Sequence, residues 1–250
     1  MNGCSGCSVC GKGCEVSCEI PSDLRIMGFD PACGVVLVGN SKVGKSTLFH
    51  KLCPKKAEEE QIKSLKRKVE RGYAGRTKTL VYNTPGLLSM FSRNLEERVA
   101  RDVLLPGALA DRARRIVIVA DSKNLMRALS LALQFSEYEL PMLLVLNMMD
   151  EARGKGIYIN REKLSSILGI PVCETVARKG VGIGEVLYSL DSMYRPHAQG
   201  VQPDDVETFI DAVRTLVNPQ HISPRGMAIQ ILAHDPGMIR YIRTTFGKEV

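Results

Sequence analysis

No stretch of this 250-residue chain is apolar for long enough to cross a bilayer, which takes about 20 residues. The longest apolar run, Leu140–Met149, is interrupted by Pro141 and Asn147. As given, the chain does not read as a membrane protein. The N-terminus lacks the apolar segment of a secretory signal. A cytoplasmic setting is therefore expected, with membrane association only through a partner or a missing C-terminal region. Aromatic residues are scarce, at 5%, and none interleaves the basic clusters at 63–71 and 112–115. Single-stranded nucleic-acid platforms place aromatic faces beside their charges. Despite a net charge of +7, no nucleic-acid partner is expected, and the clusters read as solvated faces. No internal repeat is visible.

The eight cysteines are unevenly spread, with five of them in the first eighteen residues. Without a secretion signal the compartment is expected to be reducing, which disfavours a disulfide framework. The spacing Cys4-x2-Cys7-x2-Cys10-x3-Cys14 is similar to the ligand run of bacterial ferredoxins, with Glu15 where a proline is usual. An Fe–S cluster, a tetrahedral Zn²⁺ and a ligand-free thiol tail are the open readings. Cys18 and Cys33 are spare ligands. Cys53 and Cys173 lie in apolar surroundings and are expected to pack as small apolar residues.

What is present is an alternation of short buried strands and amphipathic helices. Strands are predicted at Gly34–Gly39, Thr79–Tyr82, Ile116–Ala120, Met142–Asn147 and Ile170–Cys173. Helices are predicted over Lys45–Leu52, Glu96–Leu105, Asn124–Tyr138, Arg161–Leu168 and Ile183–Met193. The highly charged segment Lys55–Arg71 has little to bury and reads mainly as a mobile loop. This pattern predicts an α/β fold of P-loop GTPase type, a mostly parallel sheet with helices on both faces. Ligands then bind at the C-terminal ends of the strands. After Arg195 the texture turns helical. Val206, Phe209, Ile210, Val213 and Leu216 share one helical face, and Ser223-Pro224 and Asp235-Pro236 each look like an N-cap followed by proline at the first helical position. The expected organisation is a Cys-rich segment over 1–30, a nucleotide domain over 31–195 and a helical appendage over 196–250 that looks like a helical domain cut short.

The strongest chemical signal is Gly39-Asn40-Ser41-Lys42-Val43-Gly44-Lys45-Ser46, followed by Thr47. It fits G-x-x-x-x-G-K-[ST] between a strand and a helix. The glycines let successive N–H groups face phosphate oxygens at a helix N-terminus. Lys45 is expected to reach the β- and γ-phosphates, and the Ser46 hydroxyl to ligate Mg²⁺. Asn147-Met148-Met149-Asp150 closes a buried strand and fits N-x-x-D. An Asn amide there can meet the N7/O6 edge of guanine, and a carboxylate can accept from N1–H and the 2-amino group together. Adenine offers no such donor pair. Thr175-Val176-Ala177 is a candidate for backbone contact with guanine O6, and a plain strand-to-loop turn is the competing reading. Asn83-Thr84-Pro85-Gly86 stands where D-x-x-G is usual. Gly86 N–H would meet the γ-phosphate, and Asn83 could reach Mg²⁺ through water without adding charge.

Together these motifs resemble the G domain of ferrous iron transport protein B. NMMDEARGKGIYIN, KLSSILGIPVCETVARKGVGIG, GNSKVGKSTLFH, ADSKNLMRALSLALQ and ISPRGMAIQILAHD carry the similarity from about Val35 onward. The resemblance implies GTP/GDP and Mg²⁺ as ligands, a GTPase switch in iron homeostasis, and a membrane iron permease or other protein as partner. Three positions depart from the family pattern. No threonine occurs between Thr47 and Thr77, so the switch threonine, which aligns near Lys66, is missing. Asn83 replaces the Mg²⁺-associated Asp, and Lys42 replaces an Asn that helps hold K⁺. Either the Lys42 ammonium supplies a built-in cation beside the β/γ bridge, making Lys42 and Lys45 the candidate catalytic cations, or Lys42 is simply exposed. Slow or partner-dependent hydrolysis is expected. An iron- or redox-responsive metalloprotein with a regulatory nucleotide domain, and a scaffold that binds GTP with little turnover, are the competing functions.

Overall fold

The sequence GVVLV makes β1 (Gly34–Val38) a strand buried on both sides. Val36 and Val38 point into one core and Val35 and Leu37 into another. Continuous apolar runs of this kind belong to sheets covered on both faces. The computed structural model describes residues 34–54, 58–62, 67–75, 78–91, 97, 113–197, 202–216 and 223–247. Cys4, Cys7, Cys10, Cys14, Cys18 and Cys33 lie outside these, as does the helix predicted over Glu96–Leu105 apart from Glu97.

The other strands are β2 (Glu58–Ile62), β3 (Arg67–Ala74), β4 (Thr79–Asn83), β5 (Ala113–Asp121), β6 (Met142–Asn147) and β7 (Val172–Glu174). They form one seven-stranded sheet in the order β2-β3-β4-β1-β5-β6-β7. From β4 to β7 every pairing is parallel, while β2, β3 and β4 pair antiparallel. The helices are α1 (Lys45–Leu52), α2 (Leu125–Ser136), α3 (Met149–Gly154), α4 (Arg161–Leu168), α5 (Ile183–Ser189), α6 (Asp204–Leu216), α7 (Pro224–Leu232) and α8 (Pro236–Thr245). Leu48, Phe49 and Leu52 of α1 and Val186 of α5 pack on one face of the sheet. Residues of α2, α4 and α6–α8 contribute to the core on the other. The expected α/β class with a mostly parallel sheet and C-terminal helices is what the chain adopts.

The mobile loop expected over Lys55–Arg71 is corrected. Most of it is the hairpin β2–β3, which pairs Glu58 opposite Arg71 and Glu70 opposite Asn83 of β4. Charge patterning reports burial, and an edge hairpin needs little of it. β3 is paired on both sides and β2 on its inner side, and charged residues on an edge strand discourage pairing with other chains.

Local signals hold at the helix ends. Asn160 caps α4 by accepting from Lys163 N–H, and Gly169 ends that helix at φ 68. Ser223 accepts from Gly226 N–H and Asp235 from Met238 N–H, each followed by proline at the start of its helix. The C-terminal helices are joined to the sheet layer by a buried polar contact. The Arg225 guanidinium pairs with Glu137 after α2 and makes a two-pronged contact with Glu207 of α6, at 2.7 and 2.9 Å. Gln230 donates to the Tyr138 hydroxyl beside it. No helix among the described residues is long and apolar enough to cross a membrane.

Candidate nucleotide site

The loop between β1 and α1 is shaped by close approach. Gly44 has φ 90, and a Cβ there would stand 2.3 Å from Asn147 Nδ2. A Cβ on Gly86 would stand 2.1 Å from Ser41 Oγ. Leu87 N–H donates to Gly39 O at 3.0 Å. The loop after β4 is therefore pressed against the loop after β1, and only glycine allows the contact.

Lys45, the first residue of α1, is 7% exposed. Its ammonium donates to the carbonyls of Gly39 (2.8 Å) and Asn40 (2.7 Å), both in its own loop. No carboxylate among the described residues pairs with it. Burial pulls its pKa down to about 8. A buried cation on carbonyl dipoles at a helix N-terminus is a site built for an anion. Ser46 and Thr47 are exposed beside it, and Lys42 is exposed at the crest of the loop with φ 65. A cleft of about 110 Å³ runs beside Asn40–Val43, with Asp121, Asn124 and Arg127 on its far wall.

Asn147 is 3% exposed and joins three loops. Its Nδ2 donates to Val43 O at 2.9 Å, across 104 residues of sequence. Its Oδ1 accepts from Ala177 N–H at 3.0 Å and from the Thr175 hydroxyl at 3.1 Å. One Nδ2 hydrogen is left to face a ligand edge. The Val176 N–H is taken by Val181 O, in a short antiparallel bridge. The Ala177 N–H is likewise engaged, by Asn147 Oδ1. Asp150 in α3 accepts from the Lys179 ammonium at 2.9 Å. That hydrogen bond holds its carboxyl below the usual carboxylate range. Met148 turns the chain at φ 61 between β6 and α3.

Asn83 is 7% exposed at the end of β4. Its Nδ2 donates to Ser46 Oγ at 3.1 Å and to Glu70 Oε2 at 2.6 Å. The structure thus brings together the predicted residues of the phosphate loop, Asn83, Gly86, Asn147, Asp150 and Ala177 at the C-terminal edge of the sheet. Sequence reading missed Glu70, Lys179 and Lys123. Lys123 stands 3.6 Å from Asp121, 3.4 Å from Met148 Sδ, and against Glu151. Lys123 lies two residues after β5 and Lys179 in the loop that follows β7, and a place just beyond a strand end at the site was the available signal. Glu70 was hidden in the charged segment. Cys53 and Cys173 are buried and unbonded to one another, as expected. Burial pushes the Cys53 thiol up to about 12, which keeps it an inert thiol.

A family model described as "Ferrous iron transport protein B" matches residues 33–190. The chain belongs to the ferrous iron transport protein B family. The "Fe(2+) transporter FeoB" of Helicobacter pylori strain 26695 is 34% identical over 167 residues, covering 66% of this chain and 25% of that protein. A Porphyromonas gingivalis "Fe(2+) transport protein A/Fe(2+) transporter FeoB fusion protein" is 28% identical over 221 residues, 83% of this chain and 26% of the relative. The chain thus spans about a quarter of the length of these relatives. Among solved structures, an S. thermophilus NFeoB mutant bound to GDP aligns with TM-score 0.73 at 29% identity, covering 84% of this chain and 82% of that one. The cytosolic domain of the T. maritima FeoB transporter in its GMPPNP form aligns with TM-score 0.71 at 27% identity, covering 84% of each chain.

Proposed function

We propose that this chain binds guanine nucleotide at the C-terminal edge of its sheet and acts as the nucleotide-dependent switch of a ferrous-iron transport system. The observation that carries this is Lys45, a buried ammonium held, among the described residues, by its own loop's carbonyls alone. Its natural counter-ion is a polyphosphate, and relatives of the same fold are named as bound to GDP and GMPPNP. Lys45 and the loop N–H groups hold the phosphates. Asn147 presents its free Nδ2 hydrogen to the base, and Asp150 accepts from N1–H and the 2-amino group once Lys179 yields part of its contact. Ser46 Oγ and the Asn83 side chain, which already meet, fit the metal corner. Mg²⁺ there would neutralise charge on the phosphate oxygens.

Hydrolysis is slow, because no threonine occurs between Thr47 and Thr77 and Asn83 is uncharged. Lys42, exposed on the loop crest, supplies a fixed cation beside the phosphates in place of bound K⁺. A membrane iron permease, in the same or another chain, is the partner that reads the switch. The test is GTP binding and phosphate release on one anaerobically purified sample with Mg²⁺, with and without K⁺. Binding with slow, K⁺-independent release is expected. K⁺ stimulation would count against Lys42, and absence of binding would end the proposal. Iron and zinc analysis of the same sample tests the second reading, a metal site on Cys4, Cys7, Cys10 and Cys14, which rests on their spacing alone.

Base choice gives a sharper check. Asp150→Asn replaces an acceptor pair by a donor and an acceptor, which suits a 2-oxo group better than a 2-amino group. GDP affinity is expected to fall at least about a hundredfold while xanthosine diphosphate gains, because an unmatched polar pair in the site costs about 1–3 kcal/mol per group. Competition against a fluorescent GDP analogue measures both. Unchanged preference would remove Asp150 from the base site.

A further inference from the structure

P-loop nucleotide sites hold their metal with the loop hydroxyl and a nearby carboxylate. Here the side chain that meets the Ser46 hydroxyl is the neutral Asn83. The charge is not missing from the corner, however. Glu70 of β3 lies directly across the strand pair from Asn83, and its Oε2 accepts from Asn83 Nδ2 at 2.6 Å. A carboxylate can only accept when ionised, so it fixes the amide with nitrogen toward Glu70 and oxygen away from it. That oxygen, Asn83 Oδ1, is buried and has no hydrogen-bond partner among the described residues. A buried unpaired carbonyl oxygen is costly and marks a position where a cation or its water is to be met. Among the described residues no Lys or Arg pairs with Glu70. Ser46 Oγ and the Glu70 carboxylate are thus linked through the one amide nitrogen of Asn83, and both are hard oxygen donors of the type Mg²⁺ takes.

We propose that Glu70 supplies the carboxylate of the metal corner, the charge having moved from position 83 to the facing position on the neighbouring strand. This rests on the nucleotide reading above. The two changes make sense together. An Asp at 83 would put two carboxylates within hydrogen-bond distance, a repulsion that Asn removes while keeping the contact. A plain strand tie would explain the Glu70–Asn83 bond alone, but it leaves Asn83 Oδ1 without a partner.

The experiment uses the full chain with a fluorescent GDP analogue and Mn²⁺ in place of Mg²⁺. GDP affinity is measured in EDTA and in Mn²⁺, and Mn²⁺ affinity for the protein·GDP complex by electron paramagnetic resonance. Glu70→Gln keeps shape and an acceptor but removes the charge. Its Mn²⁺ affinity is expected to fall about ten- to hundredfold, in the range typical of lost metal-site partners, with GDP binding in EDTA unchanged. The double variant Asn83→Asp/Glu70→Gln returns the charge to position 83 and is expected to recover Mn²⁺ affinity. Thermal melts of each variant in EDTA establish that it is folded. Should Glu70→Gln melt below wild type and bind Mn²⁺ unchanged, Glu70 is a strand tie and the proposal is overturned. Failure of the double variant to recover, while folded, overturns it too. If the wild type binds no GDP in either condition, the nucleotide reading itself fails and this proposal falls with it.

Discussion

Lys45→Met is expected to abolish nucleotide binding while leaving the ligand-free fold at least as stable. The ammonium is 7% exposed and has no carboxylate partner among the described residues. Burial lowers its pKa from 10.5 to about 8. It is thus still largely charged at neutral pH, at a cost to folding of about 3 kcal/mol. Methionine fills similar space without that cost. The carbonyls of Gly39 and Asn40 lose a donor, which offsets part of the gain. The folded pKa lies below the unfolded one, so the unfolded chain binds more protons between pH about 8 and 10.5. Stability of the ligand-free protein therefore rises with pH across that window and levels off above it. Nucleotide affinity runs the other way. It falls above pH about 8, by roughly tenfold per unit, because the neutral amine brings no charge to the phosphates. Thermal melts and GDP titrations from pH 6 to 10 measure both trends. A ligand-free Lys45→Met protein that is clearly less stable than wild type would show that the carbonyl contacts outweigh the buried charge.

Arg225→Ala is expected to cost about 3–5 kcal/mol, the usual effect of breaking a buried ion pair from one side. The side chains of Arg225 and Glu137 are each 7% exposed. Truncation leaves the Glu137 carboxylate buried without its guanidinium and releases Glu207 as well. The pair joins α7 to the end of α2 and the start of α6, so the loss should appear in the packing of the C-terminal helices. Urea denaturation, followed by circular dichroism, measures the change. Arg225→Met combined with Glu137→Gln removes both charges and is expected to recover most of the loss. If the single variant unfolds at the wild-type midpoint, the contact contributes nothing net and the helices are held by Ile210, Val213, Met227, Ala228, Met238 and Ile242.

The parts of the site that could be read from the sequence are those with a local cause. A loop that cradles phosphate needs glycine where the backbone turns left-handed, and Gly44 has that conformation. Helix caps are equally local, which is why Ser223 and Asp235 were identifiable from their own neighbours. Asn147 was recognisable by its place at the end of a strand, but its part in tying three loops together was not. Its partner Val43 is 104 residues away in sequence. Asp150 could be read as a base acceptor, whereas its contact with Lys179 depends on how two loops fold beside each other.

The charged segment before β4 shows the same boundary from the other side. Hydrophobic pattern records which side chains are buried, and a hairpin at the sheet edge is held largely by backbone pairing. A segment with few apolar residues therefore carries the signature of a loop even where it pairs, and nothing local distinguishes Glu70 from its charged neighbours. Sequence alone determined the α/β class, the mostly parallel sheet and which motifs close its strands, because strand burial, glycine conformation and capping act over a few residues. Only the tertiary structure decided that Glu70 faces Asn83, that Lys45 is buried without a carboxylate among the described residues, and that Arg225 fastens the last helices. Each of those depends on strands and helices far apart in the chain being brought within hydrogen-bond distance, a relation the linear order of residues does not contain.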